Sequence, residues 1–174
     1  YIERPDSCIL FCNTRDKVEN VFEKMKNKGY SCGILHGGME QRDRLHSIQD
    51  FKRGEFQFLI ATDVAARGIH VDGISLVVNY DMPLDNESYV HRIGRTGRAG
   101  NVGAAITLAT GNEHGTLHDI EEYIHYKIPK QGTPTVEEVE AGKLIFNNRD
   151  GIEPALKIDI SEKLNRQITR IRIN

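Results

Sequence analysis

The chain has 174 residues, with 25 acidic side chains against 23 basic ones, a formal charge of -2, 39% hydrophobic and 28% charged residues. That length allows one domain with an appendage, and the balance excludes wholesale disorder. It also excludes a membrane span, since no stretch approaches the ~18 unbroken apolar residues one requires, and a protein that holds nucleic acid by bulk positive charge alone. Any contact with nucleic acid must come from a few placed groups.

Tyr1–Pro5 lacks a basic region followed by an apolar one, so no secretory signal is expected. Three cysteines, Cys8, Cys12 and Cys32, are too few and odd in number for a disulfide framework and are expected as buried, reduced thiols of a cytosolic protein. Short apolar runs at Cys8–Cys12, Cys32–Leu35, Phe56–Ala61, Ile74–Tyr80 and Ala104–Leu108 read as strands buried on both faces. Helical spacing lies between them. Val18, Val21, Phe22 and Met25 recur at i, i+3, i+4, i+7, with Gly29 as the stop. Leu45, Ile48 and Phe51 mark a second helix, and Leu117, Ile120 and Ile124 a third. The alternation predicts an α/β fold with right-handed crossovers: a mostly parallel sheet with helices on both faces, and ligands beyond the carboxyl ends of its strands.

Past Lys130 the texture changes, giving a core over residues 1–130 and a linker or tail over residues 131–174. Gln131–Thr135 is turn material, Val136–Leu144 is acidic and helix-compatible, and Asn147–Pro154 breaks again. The last twelve residues hold Lys163, Arg166, Arg170 and Arg172 with no acidic side chain, and Ile171-Arg172-Ile173 alternates like the opening of a strand.

The chain lacks G-x-x-x-x-G-K-[ST] and has no G-x-G-x-x-G after its first strand, so it cannot cradle a triphosphate on a Gly-rich loop of its own. Three segments are candidates for chemistry. His91–Gly100 carries Arg92, Arg95 and Arg98 at a spacing of three, separated by glycines; such guanidinium forks match phosphate oxygens and can stabilise phosphoryl-transfer charge across an interface. The plain alternative is a surface arginine cluster, which the absence of acidic neighbours in the run disfavours. Ala61–Ile69 follows a strand directly and can offer backbone N–H groups to a phosphate, although Thr62-Asp63 also reads simply as an N-cap. His36–Arg44 has paired glycines at a strand end, which permit close approach of a ligand, yet Gly-Gly turns are common. His114 and His118 have metal-compatible i,i+4 spacing but sit among Glu113, Glu121 and Glu122, as a solvated helix face would, so no metal site is assigned.

In this order the segments resemble the C-terminal RecA-like domain of DEAD-box RNA helicases, over about residues 5–126. Ile9–Thr14 is similar to motif IV, His36-Gly37-Gly38 with Gln41 and Arg44 to the Q-x-x-R region, Ala61–Ile69 to motif V, and His91–Arg98 to motif VI. The resemblance implies a RecA-like parallel sheet without its own phosphate loop. It implies arginine fingers at Arg95 and Arg98, reaching ATP whose Mg2+ is bound mainly by an N-terminal RecA-like domain of the same protein. His91 and Arg92 would couple the two domains, and Gly68 and His70 would lie at the nucleotide. Asn13, Thr14, Gly37, Gly38, Gln41, Arg44, Thr62 and Arg67 would line one RNA strand, through backbone contacts blind to sequence. His70 departs from the family, which has Asp there; a neutral imidazole nitrogen still accepts a hydrogen bond. The implied protein is cytoplasmic, without membrane association, and active as a helicase only when whole. Ser161–Ile171 resembles the lead-in to the RNA-recognition domain of the bacterial ribosome-assembly branch, which implies rRNA as a partner; a basic tail with non-specific phosphate affinity is the other reading. Two other functions stay open: a non-catalytic RNA-binding adaptor and a DNA-translocating relative.

Overall fold

The computed structural model describes residues 5–66, 71, 73–97, 103–132, 134–141 and the backbone of 167–173. Strand β1 (Cys8–Phe11) is central because both of its faces are covered: Ile9 and Phe11 enter one apolar cluster, Cys8 and Leu10 the other. It pairs in parallel with β3 (Phe58–Ala61) and β4 (Leu76–Asn79). Strand β2 (Cys32–Leu35) adds in parallel to β3, and β5 (Gly103–Ala109) to β4. The order β2-β3-β1-β4-β5 is the expected five-stranded parallel sheet.

Two antiparallel strands, β7 (Gln167–Ile173) and then β6 (Lys130–Gln131), extend that sheet beyond β5. The alternation at Ile171–Ile173 thus belongs to a strand that starts four residues earlier than expected.

Helix α1 (Arg15–Lys26) begins at Thr14, whose hydroxyl accepts from the Lys17 N–H at 3.2 Å, and lays Val18 and Val21 on the Cys8 face of the sheet. Helix α2 (Gln41–Arg53) covers the opposite face through Ile48 and Phe51 and stops at Gly54, whose φ of 75° suits a glycine. Leu45 differs from the expectation. It is 52% exposed, because α2 turns Ile48, Phe51 and the Ser47 hydroxyl, which donates to the Ile34 carbonyl, towards the sheet instead.

Helix α3 (Asp63–Ala66) is a single turn. Helix α4 (Asn86–Ile93), not anticipated from the sequence, is capped by Asp85, which accepts from the Ser88 N–H at 2.6 Å and its hydroxyl at 2.9 Å. Its Tyr89 joins Leu117 and Ile120 of α5 (His114–Tyr123) in a third cluster beside Met82, Ala109 and Ile128. Residues 136–141 are helical. Cys8 and Cys12 are buried and Cys32 half-buried, none of them joined in a disulfide, and burial raises the Cys8 thiol pKa. Among the described residues no helix is long and apolar enough to cross a membrane.

Candidate functional site

Parallel strands end on one edge, and here the register aligns their ends: Phe11 pairs with Ala61 and Asn79, and Ala61 with Leu35. At about 4.8 Å per strand, the loops His36–Gly38, Thr62–Asp63, Cys12–Thr14 and Tyr80–Met82 therefore stand side by side. This is the crevice in which open α/β sheets bind ligands.

One side chain binds these loops together. Arg92, on the last turn of α4, is 1% exposed. Its Nε donates to Asp63 Oδ1 at 2.7 Å and its Nη2 to Asp63 Oδ2 at 2.6 Å, a bidentate pair. Nη2 also donates to Asn13 Oδ1 at 2.8 Å, and Nη1 to the Asp81 carbonyl at 2.8 Å and to Asn79 Oδ1 at 3.4 Å. Five N–H groups thus meet five acceptor contacts, which is what a buried guanidinium requires. Its Cζ lies 5.3 Å from the Phe11 ring centroid. Around it, Asn13 donates to the Met82 carbonyl at 2.9 Å and takes Asp81 Oδ2 on its backbone N–H at 3.1 Å, while Asn79 donates to Thr107 on β5 at 2.9 Å.

Arg92, expected at a domain junction, is turned inward onto these loops. Asn13, expected near the RNA strand, uses both ends of its amide within the domain. Asp63, Asn79 and Asp81 were not singled out as partners; their relation to Arg92 spans 11 to 29 residues and leaves no local spacing to read.

Arg95 follows one turn on and is half-buried. It lines a hollow with Phe11, Asp63, Ala66, His91 and Arg92, and a second, apolar one with Ile9, Leu35, Leu59, Ala61, Ala66 and Val71. Its carbonyl accepts from the Ile74 N–H at 3.1 Å, and the Thr96 hydroxyl donates to the Ile74 carbonyl, so the turn is stitched to the core just ahead of β4. Gly97 takes a φ of 67°. Gly103, at the start of β5, presses on the same turn: a Cβ there would stand 2.6 Å from the Gly97 nitrogen and against Thr96 Oγ1. His91 is exposed on the last turn of α4.

On the neighbouring loop Gly37 and Gly38 are exposed, and a Cβ on Gly37 would meet nothing within 4 Å. Arg44 donates through Nη1 to Gln41 Oε1 at 3.2 Å and reaches the Ala65 carbonyl at 3.5 Å, but its buried Nε has no partner among the described residues. Thr62 is buried, with its carbonyl accepting from Ala66 N–H at 3.0 Å, and Thr14 is exposed. The structure thus gathers Asn13, Thr62, Arg92 and Arg95 on one edge, with the loop of Gly37, Gly38, Gln41 and Arg44 beside them. Arg67, Gly68, His70 and Arg98 lie outside the described residues. Among the described residues no group of three or more His, Cys, Asp or Glu side chains is placed to hold a metal; His118 lies 3.4 Å from Glu122 instead.

Comparison with known proteins fits this layout. The family described as helicase conserved C-terminal domain matches residues 1–100. The ATP-dependent RNA helicase DbpA of Bacillus subtilis is 51% identical over 172 residues, covering 99% of this chain and 36% of the relative. The chain thus spans about a third of the length of the curated relatives it matches. Among solved structures, the E. coli DEAD-box protein SrmB, bound to regulator of ribonuclease activity A, aligns with a TM-score of 0.66 and 36% identity, over 75% of this chain and 82% of that one. S. cerevisiae Dbp5 bound to RNA and ADP BeF3 aligns with a TM-score of 0.69 and 36% identity, over 81% of this chain and 38% of that one. By its sheet order, its motif-bearing loops and these likenesses, the chain belongs to the DEAD-box helicase family as a C-terminal RecA-like domain.

Proposed function

We propose that this chain is the C-terminal half of an ATP-dependent RNA helicase, which grips one RNA strand and supplies arginine fingers for ATP hydrolysis when it closes on an N-terminal partner domain. The observation that carries the reading is the placing of two guanidinium groups, Arg95 and Arg44, on either side of the Asp63 loop at the carboxyl edge of the sheet. Arg95 sits at the rim of a hollow on one side of the Asp63 loop. Arg44, with a buried Nε that has no acceptor among the described residues, lies on the other, beside the exposed Gly37–Gly38 turn. An unmet buried donor calls for an acceptor, and a phosphate oxygen suits a guanidinium best.

Both ligands fit this chain's residues. Thr62, Arg67, Gln41, Arg44, Thr14 and the Gly37–Gly38 backbone would hold the sugar-phosphate chain of one strand without reading its bases. Arg95 and Arg98 would face the terminal phosphate of ATP, with Gly68 and His70 near its sugar and His91 at the domain junction. The chain has no phosphate loop, so ATP and its Mg2+ would be carried mainly by the other domain. When bound, ATP supplies the phosphoryl group whose charge these guanidiniums neutralise. Each ligand touching both halves favours the closed arrangement, and a strand bent across the two domains cannot stay paired. The stretch between β6 and β7 fits a linker that returns to the core sheet ahead of a further RNA-binding domain, with a role in ribosome assembly and a cytoplasmic location.

The test uses the complete protein. Arg95→Ala is expected to leave ATP binding intact and lower RNA-stimulated hydrolysis by about 10³-fold or more. Turnover unchanged by the substitution would contradict the finger assignment, and equal stimulation by RNA and DNA would contradict the choice of substrate.

A further inference from the structure

We propose that His36 is a positioning residue whose neutral imidazole, protonated at Nε2, sets the Gly37–Gly38 turn for a nucleic-acid phosphate. The inference rests on the RNA-strand reading above and goes beyond it, by assigning the shape of the gripping loop to one side chain.

His36 directly follows β2 and is 5% exposed, although it borders the exposed Gly37–Gly38 turn. Its Nδ1 accepts from the Gly38 backbone N–H at 3.2 Å, and its carbonyl accepts from the Met39 N–H at 3.2 Å. Its Nε2 lies 3.4 Å from Oε1 of Glu19 on α1. A ring nitrogen that accepts carries no hydrogen, so the neutral ring bears its proton on Nε2, facing the Glu19 carboxylate. Two polar contacts from opposite sides thus choose the tautomer. The bond from Nδ1 to the N–H two residues on closes the chain as an Asx turn does, with imidazole in place of an amide or carboxylate oxygen. The ring also lies against Gly38, since a Cβ there would stand 3.2 Å from Nδ1. With Gly38 held and its amide occupied, Gly37 is left at the crest, open to the approach of a ligand backbone.

The turn chemistry gives a test that packing alone cannot mimic. Asparagine at this position can accept from the same N–H two residues on. Leucine fills the buried space but accepts nothing. In the complete protein, half-saturation of ATP hydrolysis by a single-stranded oligouridylate is measured for His36→Asn and His36→Leu, alongside thermal melting.

His36→Leu is expected to raise the RNA half-saturation about tenfold, the loss of one hydrogen bond, with kcat at saturating RNA changed by less than about twofold. His36→Asn is expected within about twofold of wild type for RNA. It should melt no higher than His36→Leu, because a buried amide is costlier than an apolar side chain of similar size. That inverted order, asparagine better for RNA and no better for stability, is the signature. Equal RNA half-saturation for His36→Leu and wild type, or His36→Asn as weak as His36→Leu, would overturn the positioning role alone. A wild-type protein whose hydrolysis ignores RNA would overturn the helicase reading and this inference with it.

Discussion

Arg92 and Glu121 are both charged and both almost sealed from water, at 1% and 6% exposure, yet they hold the molecule together in different ways. Arg92 gathers acceptors from four places in the chain, Asn13, Asp63, Asn79 and Asp81, at sequence separations of 11 to 79. Glu121 reaches only six and seven residues ahead. It accepts from Lys127 Nζ at 2.9 Å and from the Ile128 N–H at 3.0 Å, and so fixes the turn in which His125 takes a φ of 51°. The first network assembles a site from loops that sequence keeps apart; the second fastens the exit of a helix. A buried charge costs several kcal/mol to desolvate, about the same order wherever it sits. Only at the carboxyl edge of the sheet does that cost secure the relative positions of several motif loops.

The contrast is sharpest when each hub is removed. Arg92→Ala leaves the Asp63 carboxylate and the Asn13 and Asn79 amides facing an empty space, and is expected to destabilise the chain by about 3–5 kcal/mol. Denaturant unfolding measures it, and a loss below about 1 kcal/mol would make the network incidental. Arg92→Lys keeps the charge but cannot supply the fork, so it should recover only a small part of that loss.

Glu121→Gln should cost about 1–2 kcal/mol, since a single charge-assisted pair is lost and Lys127 remains in solvent. Burial by itself would raise the Glu121 pKa. Hydrogen bonds from Lys127 and the Ile128 amide, with the charges of Lys127 and Lys130, outweigh it and hold the carboxyl below its ordinary value. The sign follows: a lowered folded-state pKa gives stability that is complete above the unfolded carboxylate value of about 4.3 and is lost as pH falls through the folded one. Acid titration of unfolding in wild type against Glu121→Gln should therefore converge at low pH and separate above about pH 5.

The same contrast governs what could be read from the sequence. The five parallel strands were legible because each is a short, nearly unbroken apolar run bounded by turn residues, and α1, α2 and α5 because their apolar residues keep helical spacing. Helix α4 was missed. The glycines of His91–Gly100 read as a loop, while the helix start signal, Asp85 capping Ser88, lies upstream of the motif. The loops at the carboxyl edge were legible as the segments that follow the apolar strand runs. The burial of Arg92 was not legible, since an arginine with a satisfied fork at 1% exposure is rare and its acceptors are far away in sequence. Three arginines at even spacing look equivalent on paper; the fold makes one a tie and leaves Arg95 at a hollow's rim.

The most direct test of that division is a double-mutant cycle on the chain itself, with Arg92→Gln, Asp63→Asn and the pair, read by denaturant unfolding. If the bidentate pair is the tie that holds the site loops in register, the two substitutions are coupled by about 1.5–3 kcal/mol. Additivity to within about 0.5 kcal/mol would contradict the account.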